Sequence, residues 1–290
     1  MPSWDLYRSL LAVLEHGSLS GAGRAIGLSQ PTLGRQIAAL EGELGVALFT
    51  RSPGGLRPTE AALGLKPHAE AMAAAAAALA RAAVPDDGAS GVVRITASEL
   101  MGGTVLPPII AELRETHPRL TIELALSNAQ DDLLRRDADI AVRMARPTQG
   151  ALHGRKLGDI EVGLFASPNY VQRHGRPESL EARAGHTIVG FDRIPPYAAR
   201  VISDLPISRD LFEVRSDSDL AQLALVQAGA GIGAVQAPLA RRMGLTPVLP
   251  GRFGFPMEMW VVMHEDLKTT PRMRLVFDAL VEGLSAYLRC

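Results

Sequence analysis

The stretch GLSQPTLGRQIAALEGEL, Gly27 to Leu44, predicts a helix with a polar front end. Gly27 suits the left-handed end of a preceding helix, and Ser29 is a favourable N-cap. Pro31 falls in the first turn, where a missing backbone N–H costs nothing. Three apolar residues then recur at helical spacing and predict a buried stripe: Leu33, Ile37 and Leu40.

The polar residues Gln30, Thr32 and Arg35 fill the rest of the first two turns. One interpretation is a surface helix with a solvated front end. The other is a recognition helix, because Gln pairs with adenine, Arg pairs with guanine, and the Thr methyl contacts a thymine methyl in the major groove.

The preceding residues favour the second interpretation. A first amphipathic helix is predicted to end at Gly17, and SLSGAGRAIG predicts a second, short helix capped by Ser20. Two short helices joined by a tight turn, the second of them polar at its N-terminus, are typical of a helix-turn-helix that places one helix in the major groove.

The segment GVALFTRSPGGLRPTEA after this helix predicts a small β wing. Val46, Leu48 and Phe49 are expected to anchor it. Arg51 and Arg57 lie on either side of a Pro-Gly-Gly turn, where they would contact phosphates or the minor groove.

The residues from Ser18 to Ala61 resemble the DNA-binding region of the LysR-type transcriptional regulators, with no gap. The Ser-Gln-Pro start of the helix is specific to that family, and so are the leucine, phenylalanine and arginine that follow the helix, Leu48, Phe49 and Arg51. Gly34 departs from the pattern, because the family usually has a small polar residue there. We expect the missing hydroxyl to cost a DNA contact, and Gly34, Gly21 and Gly23 to weaken their helices by roughly 1 kcal/mol each.

The composition is that of a soluble globular protein with two or three compact units: 290 residues, 47% hydrophobic and 21% charged. No run of about 18 apolar residues predicts a membrane span, and no export signal is visible, so a cytoplasmic protein is expected. The single cysteine, Cys290, excludes an intrachain disulfide.

The charge balance gives no support for strong DNA binding by one copy. The net charge is −1. The first 60 residues have as many arginines as carboxylates: Arg8, Arg24, Arg35, Arg51 and Arg57 against Asp5, Glu15, Glu41, Glu43 and Glu60. Because phosphate neutralisation supplies most non-specific affinity, several copies would have to act on one site.

The alanine-rich segment 60–84 predicts the helix that joins those copies. Two seven-residue series interleave in it, one of alanines and one of Leu and Met, which is typical of a coiled-coil seam. The predicted dimerisation residues are Leu65, Ala69, Met72, Ala76 and Leu79. A solitary solvated helix is the alternative, and Pro67 would kink the helix if it lay in the interior. The resemblance also implies a long dimerising helix here, in a homodimer or homotetramer.

Residues 85–91 predict a hinge, and the chain beyond it alternates between strands and helices. This alternation predicts an α/β fold with mostly parallel, mixed sheets in residues 92–290, behind a winged helix-turn-helix in residues 1–59. The resemblance implies an effector domain of two lobes, built like periplasmic solute-binding proteins. Lobe I would comprise about 92–162 and 264–290, and lobe II about 163–263.

Ligands of open α/β sheets collect at the carboxyl ends of strands. Five polar residues lie at such places: Ser98, Asn128, Arg143, Ser216 and Asp217. The resemblance places effector contacts at the first three. Each could instead be structural, with Ser98 and Asn128 as helix caps and Arg143 paired with a nearby carboxylate. Helix N-termini and an arginine favour a small organic anion, although Asp217 also allows an amino group.

No motif predicts a cofactor, a metal site or a catalytic nucleophile. GAGIGA, Gly229 to Ala234, follows a helix instead of a strand and is therefore a weak dinucleotide fingerprint. The seven histidines lack metal-ligand spacing.

Two functions remain. The first is a ligand-responsive transcriptional regulator that binds double-stranded DNA, a small-molecule effector and, as the resemblance implies, RNA polymerase. The second is a small-molecule enzyme or solute-binding module that uses its N-terminal region for assembly.

Overall fold

The computed structural model describes residues 1–52, 55–82, 90–128, 138–147, 152–179, 185–195, 198–199 and 208–289. Two compact units are present, one containing the described residues up to Ala82 and the other those from Ser90 onward. Each unit has its own hydrophobic core.

The first unit begins with three helices, α1 (Trp4–His16), α2 (Leu19–Ile26) and α3 (Gln30–Leu44). Each ends at a glycine with a positive φ: Gly17 at 64°, Gly27 at 72° and Gly45 at 71°. The predicted ends of the first two helices are therefore confirmed, and glycine suits all three positions because its left-handed conformation carries no Cβ penalty.

The N-caps confirm one prediction and correct another. Ser29 caps α3, since its Oγ accepts the Thr32 N–H at 3.3 Å. Ser18 caps α2 by accepting the Gly21 N–H at 3.1 Å, so the predicted cap, Ser20, is wrong. The turn after Gly17 is only one residue long, and α2 therefore starts before Ser20.

The core of this unit contains the predicted apolar stripe of α3, packed with residues of the neighbouring helices: Leu10, Val13, Ala22, Leu33, Ile37 and Leu40. The predicted anchor Val46 is wrong, because its side chain is 44% exposed. The chain turns inward only at Leu48, where the Glu41 carboxylate accepts the N–H groups of Leu48 and Phe49 at 2.7 and 3.2 Å.

The predicted wing is an antiparallel ribbon of β1 (Phe49–Ser52) and β2 (Gly55–Pro58). It leads into α4 (Glu60–Ala82), whose interior contains Pro67. Pro67 is the eighth residue of the helix and removes one backbone donor from its hydrogen-bond ladder.

The second unit is built on a mixed sheet. Its strands are β3 (Gly91–Ala97), β4 (Leu120–Leu126), β5 (Ile140–Arg143), β6 (Leu152–Ala166), β7 (Ile188–Gly190), β8 (Val214–Arg215), β9 (Ile232–Gln236), β10 (Thr246–Val248) and β11 (Phe255–His264). Within the described residues the order is β4-β3-β5-β11-β6-β9-β7-β8, with β10 also paired to β6.

Parallel pairing is confined to the two ends of this sheet. β3 is parallel to β4 and β5, and β7 is parallel to β8 and β9. The long strands β6 and β11 between these ends pair antiparallel with each other and with their neighbours. The expectation of mostly parallel pairing therefore holds only within each half, because two strands cross between the halves.

The described residues of this unit form five α-helices beside the sheet: α5 (Leu106–Thr116), α6 (Pro168–His174), α7 (Asp219–Ala228), α8 (Ala237–Arg242) and α9 (Pro271–Arg289). Gly102 and Gly103 lie in a π-helical turn, Met101–Val105, that runs directly into α5. Most of the predicted hinge, residues 85–91, lies outside the described residues.

Candidate functional site

The N-terminus of α3 presents its polar residues to solvent. Gln30, Pro31 and Arg35 are exposed, while Leu33 and Ile37 on the opposite stripe are buried. Arg35 has no hydrogen bond or ion pair within the described part of the chain. Its guanidinium is therefore available for a partner outside the molecule.

The two hydroxyls at this helix start bond to each other. Ser29 Oγ and Thr32 Oγ1 lie 2.8 Å apart, and Ser29 Oγ also accepts the Thr32 N–H. Thr32 is half-buried. Because its hydroxyl is already engaged, its methyl group is the part suited to an apolar contact such as a thymine methyl.

Gln30 is held from α2. The Ser20 hydroxyl donates to Gln30 Oε1 at 2.9 Å, and both residues are exposed. Ser20 was expected only as a cap, so this contact across the turn was not predicted from the sequence.

Gly23 lets α2 and the start of α3 approach closely. A Cβ at this position would lie 2.5 Å from the Leu28 carbonyl oxygen and 3.7 Å from the Gln30 nitrogen. Gly23 thus has a packing role besides its expected weakening of the helix, because any larger residue would push the turn away.

Packing does not require a glycine at position 34. A Cβ there would meet only the Leu19 Cδ1, at 3.5 Å, which is ordinary van der Waals contact. The departure from the family pattern at this position is therefore not imposed by packing.

The wing arginines occupy both strands of the ribbon. Arg51 pairs with Leu56, and Arg57 pairs with Thr50. The Arg57 side chain is exposed, whereas the side chain of Arg51 lies outside the described part of the structure.

Charge in the first unit is separated, although the total is balanced. Glu41 and Glu43 lie in the last turn of α3, roughly 16 and 20 Å along the helix axis from Gln30 at 1.5 Å per residue. This separation exceeds the Debye length of about 8 Å at physiological salt. The polar front end of α3 is therefore screened from these carboxylates.

In the second unit, the predicted effector residues Ser98, Asn128 and Arg143 lie at one edge of the sheet. Arg143 ends β5, while Ser98 follows β3 by one residue and Asn128 follows β4 by two. The three strands are parallel neighbours, so their carboxyl ends meet. The structure thus brings these three residues together.

Their side chains are already engaged within the unit. Ser98 Oγ accepts the Met101 N–H at 3.4 Å, which is a cap of the following helical turn. Arg143 is 9% exposed and donates to Thr96 Oγ1 and to the Val142 carbonyl, each at 3.1 Å. The carboxylate of Glu123 binds Arg94 at 3.0 Å.

Asn128 links the two halves of the sheet. Its Oδ1 accepts the Glu99 N–H, and its Nδ2 donates to Asp219 Oδ2, both at 3.0 Å. A second link runs in parallel, because Ser218 Oγ donates to Glu99 Oε2 at 3.0 Å. These two links, which we call the cross-sheet bridge, join the end of β3 to the N-terminus of α7.

Glu99, Ser218 and Asp219 were not predicted as site residues. The sequence contains a signal for the last two, because a serine followed by an aspartate is a favourable helix start. Ser218 is indeed the N-cap of α7. The predicted residues beside it have local roles: Ser216 Oγ accepts the Ser218 N–H at 3.2 Å, and Asp217 accepts the Arg193 N–H at 2.8 Å.

The predicted dimerisation residues differ in exposure. Ala69 is 1% exposed in the single chain, so it has no surface left for a partner helix. Leu65 packs against the core of its own unit. Met72 and Leu79 are 37% and 73% exposed, and Ala76 is half-buried. The available seam is therefore restricted to the second half of α4.

Within the described residues there is no cluster of three or more His, Cys, Asp or Glu side chains suited to a metal ion. None of the described helices is long and apolar enough to cross a membrane. In GAGIGA, Gly229 ends α7 at φ 80°, and a Cβ on Gly231 would lie 2.5 Å from the Thr187 carbonyl oxygen. These glycines therefore have structural roles.

Two family models match the chain. One is described as bacterial regulatory helix-turn-helix protein, lysR family, and covers residues 4–63. The other is the LysR substrate binding domain and covers residues 86–285. The first model includes the polar N-terminus of α3, and the second includes the edge of the sheet where Ser98, Asn128 and Arg143 lie.

Relatives and solved structures agree with these models. The chain is 32% identical over 184 residues to the HTH-type transcriptional regulator CrgA of Neisseria meningitidis serogroup C, a match that covers 62% of this chain and 60% of CrgA. A match to a regulator of Xanthomonas campestris covers 57% of this chain and 48% of that protein at 32% identity. The chain thus spans about half to three fifths of the length of these curated relatives.

The structural similarity extends over nearly the whole chain. The structure of CrgA from Neisseria meningitidis has a TM-score of 0.60 at 26% identity, covering 97% of this chain and 98% of that one. Full-length CbnR complexed with its target DNA has a TM-score of 0.65 at 19% identity, covering 97% and 99%. At that identity, CbnR shows a shared fold.

Proposed function

The chain belongs to the family of LysR-type transcriptional regulators, and from this membership we propose that it binds duplex DNA as a homo-oligomer under the control of a small-molecule effector. It would act in the cytoplasm, where it meets its DNA and RNA polymerase. The observation that carries the proposal is the solvent-exposed polar N-terminus of α3.

That helix end has the chemistry of a base reader. Gln30 and Arg35 are exposed, Thr32 carries a methyl group suited to a thymine methyl, and the opposite stripe is buried in the unit's own core. An α-helix fits the major groove, and these are the side chains that discriminate base edges there. Arg51 and Arg57 in the wing would add phosphate contacts.

An oligomer follows from the charge. One unit with five arginines and five carboxylates in its first 60 residues supplies few phosphate contacts. In a dimer, two recognition helices can bind half-sites about 34 Å apart. The second helix then binds intramolecularly, so the dimer has a much higher affinity for DNA than one unit. We propose that Met72, Ala76 and Leu79 of α4 form the seam, because Leu79, at 73%, is the most exposed large apolar side chain among those described in this helix.

We further propose that the effector binds at the carboxyl edge formed by Ser98, Asn128 and Arg143. Arg143 favours an anion, since a guanidinium pairs with a carboxylate through two hydrogen bonds. The cross-sheet bridge would couple binding to movement, because a ligand that competes for Asn128 or Glu99 changes how the halves of the sheet are joined.

DNA binding is tested by a mobility shift on duplexes selected from a random pool by the wild-type protein. Arg35→Ala should weaken binding by about 1–3 kcal/mol and relax the preference at one base pair. Arg274→Ala is the matched control, since Arg274 is an exposed arginine of α9 with a side chain 74% exposed. Equal binding by Arg35→Ala and wild type would exclude direct base reading by Arg35.

The effector site is tested by thermal shift with a panel of mono- and dicarboxylic acids of two to eight carbons. An acid that stabilises the wild type should have no effect on Arg143→Gln, which retains a donor toward Thr96. Basal DNA binding by this variant should be unchanged. An unaltered thermal shift in Arg143→Gln would place the anion elsewhere.

A further inference from the structure

Ser20 lies at the second position of α2 and has no capping role. Ser18 supplies the N-cap of that helix through its own hydroxyl. The Ser20 hydroxyl instead points across the turn and donates to Gln30 Oε1 at 2.9 Å. A surface serine in α2 therefore contacts the leading side chain of the recognition helix.

The two backbones that carry this contact are held together. The Leu28 N–H donates to the Gly23 carbonyl at 2.9 Å, and the missing Cβ of Gly23 lets the turn lie against α2. Ser29 fixes the first turn of α3 by capping Thr32. The hydrogen bond between Ser20 and Gln30 thus joins two helix ends whose backbones are already fixed. Forming it orders only the two side chains.

We propose that Ser20 is a positioning residue for Gln30, which orients the Gln30 amide and thereby sets which bases it accepts. This inference rests on the proposed DNA-binding function of α3. It concerns the base preference at one position of the site, beyond the fact of binding.

The chemistry follows from the two ends of the amide. A bidentate pair with adenine uses Oε1 as an acceptor and Nε2 as a donor. The hydrogen bond turns the Gln30 Oε1 toward Ser20. The Nε2 amino group is then the end of the amide that we expect to meet a base in the major groove of bound DNA. A donor by itself pairs with guanine N7 or O6, adenine N7 or thymine O4, whereas cytosine offers only its N4 amino group at the same edge.

The wild type should therefore tolerate three bases at the Gln30 position and discriminate against cytosine. In Ser20→Ala, Oε1 is released and the amide can form the bidentate adenine pair, so the preference should narrow toward adenine. Gln30 would then also have to be ordered on binding, and immobilising such a side chain lowers affinity by about twofold to tenfold.

The experiment compares five proteins on duplexes that differ only at one base pair: wild type, Ser20→Ala, Ser20→Thr, Gln30→Ala and the double variant Ser20→Ala/Gln30→Ala. The position is the one whose preference disappears in Gln30→Ala. Ser20→Thr should behave as the wild type, because it keeps the hydroxyl. Ser20→Ala should bind the guanine and thymine duplexes more weakly than the wild type and gain a preference for adenine, and both effects should vanish when Gln30 is alanine.

The stability and the base preference of Ser20→Ala, measured together, distinguish a positioning role of Ser20 from a purely structural one. A Ser20 that does not orient Gln30 predicts an unaltered base preference in Ser20→Ala: the variant would be less stable if the hydrogen bond only held α2 to α3, and more stable if the bond had no role, because alanine is the better helix former. An unaltered base preference would overturn the inference, as would a wild-type preference for cytosine, which requires the reversed amide. If the wild type binds selected and scrambled duplexes equally, the proposed function itself fails.

Discussion

Gly34 offers a direct test of how this chain departs from its family. The glycine lies in the second turn of α3, and a Cβ there would meet only Leu19 Cδ1, at 3.5 Å. Replacing glycine by alanine in a helix interior stabilises by about 1 kcal/mol. For a unit of this size, such a gain raises the melting temperature by about 4–8 °C.

Gly34→Ser distinguishes stability from contact. Serine gains less helix propensity than alanine, yet it restores the hydroxyl that the family pattern has at this position. A new hydrogen bond contributes about 1 kcal/mol, which is roughly a fivefold gain in affinity for one recognition helix. We therefore expect Gly34→Ala to be the more stable protein and Gly34→Ser to be the tighter DNA binder.

The assay uses Trp4, in the first turn of α1, as the reporter of the first unit. In a Trp260→Phe background it is the remaining tryptophan of the chain, so thermal unfolding followed by its fluorescence reports this unit. Gly42→Ala is the control, because a Cβ at Gly42 meets nothing within 4 Å and lies about 12 Å further along the helix.

Two results would refute this reasoning. If Gly34→Ala were destabilised while Gly42→Ala gained stability, Gly34 would have a packing role that its surroundings do not indicate. If the serine and alanine variants bound DNA equally tightly, a hydroxyl at position 34 would make no contact with DNA. The expectation that Gly34 costs the protein a DNA contact would then be refuted.

Three further outcomes follow from the same geometry. Gly23→Ala should destabilise the first unit by about 1–3 kcal/mol, because its Cβ would lie 2.5 Å from the Leu28 carbonyl oxygen; wild-type stability in the same unfolding experiment would contradict the close approach. Arg57→Ala should weaken DNA binding uniformly across sequences and reduce the slope of log K against log salt by about 1 per protomer, whereas an unchanged slope would exclude a phosphate contact. Leu79→Glu should shift the protein toward monomer in analytical ultracentrifugation, with Ala77→Glu at an outer position of the heptad as the control, and equal dissociation by both variants would exclude the proposed seam.

The local features of the DNA-binding unit were predictable because they depend on residues within one or two helical turns. A serine before a proline in the first turn predicts a helix start, and Gly27 predicts the end of the preceding helix. Even here the prediction failed where two serines competed. Ser18 and Ser20 are equally good caps, and the length of the turn after Gly17 decided between them.

The surface of α4 shows the limit of periodicity. The seven-residue series treats Ala69 and Met72 alike, yet Ala69 is buried in the single chain and Met72 is not. A repeat in the sequence predicts which residues share a face of the helix, but it does not predict how much of that face the chain covers with its own residues.

The sequence by itself determined several local features of this protein: the start of α3 at Ser29, the helix ends at Gly17 and Gly27, the ribbon after α3, and the exposed polar front end of α3. The tertiary structure alone decided the contacts between distant residues. Asn128 reaches Asp219 across 91 positions, and Ser218 reaches Glu99 across 119. The physical reason is that capping and periodicity are satisfied by neighbours along the chain, whereas these contacts depend on the strand order that β6 and β11 impose on the sheet.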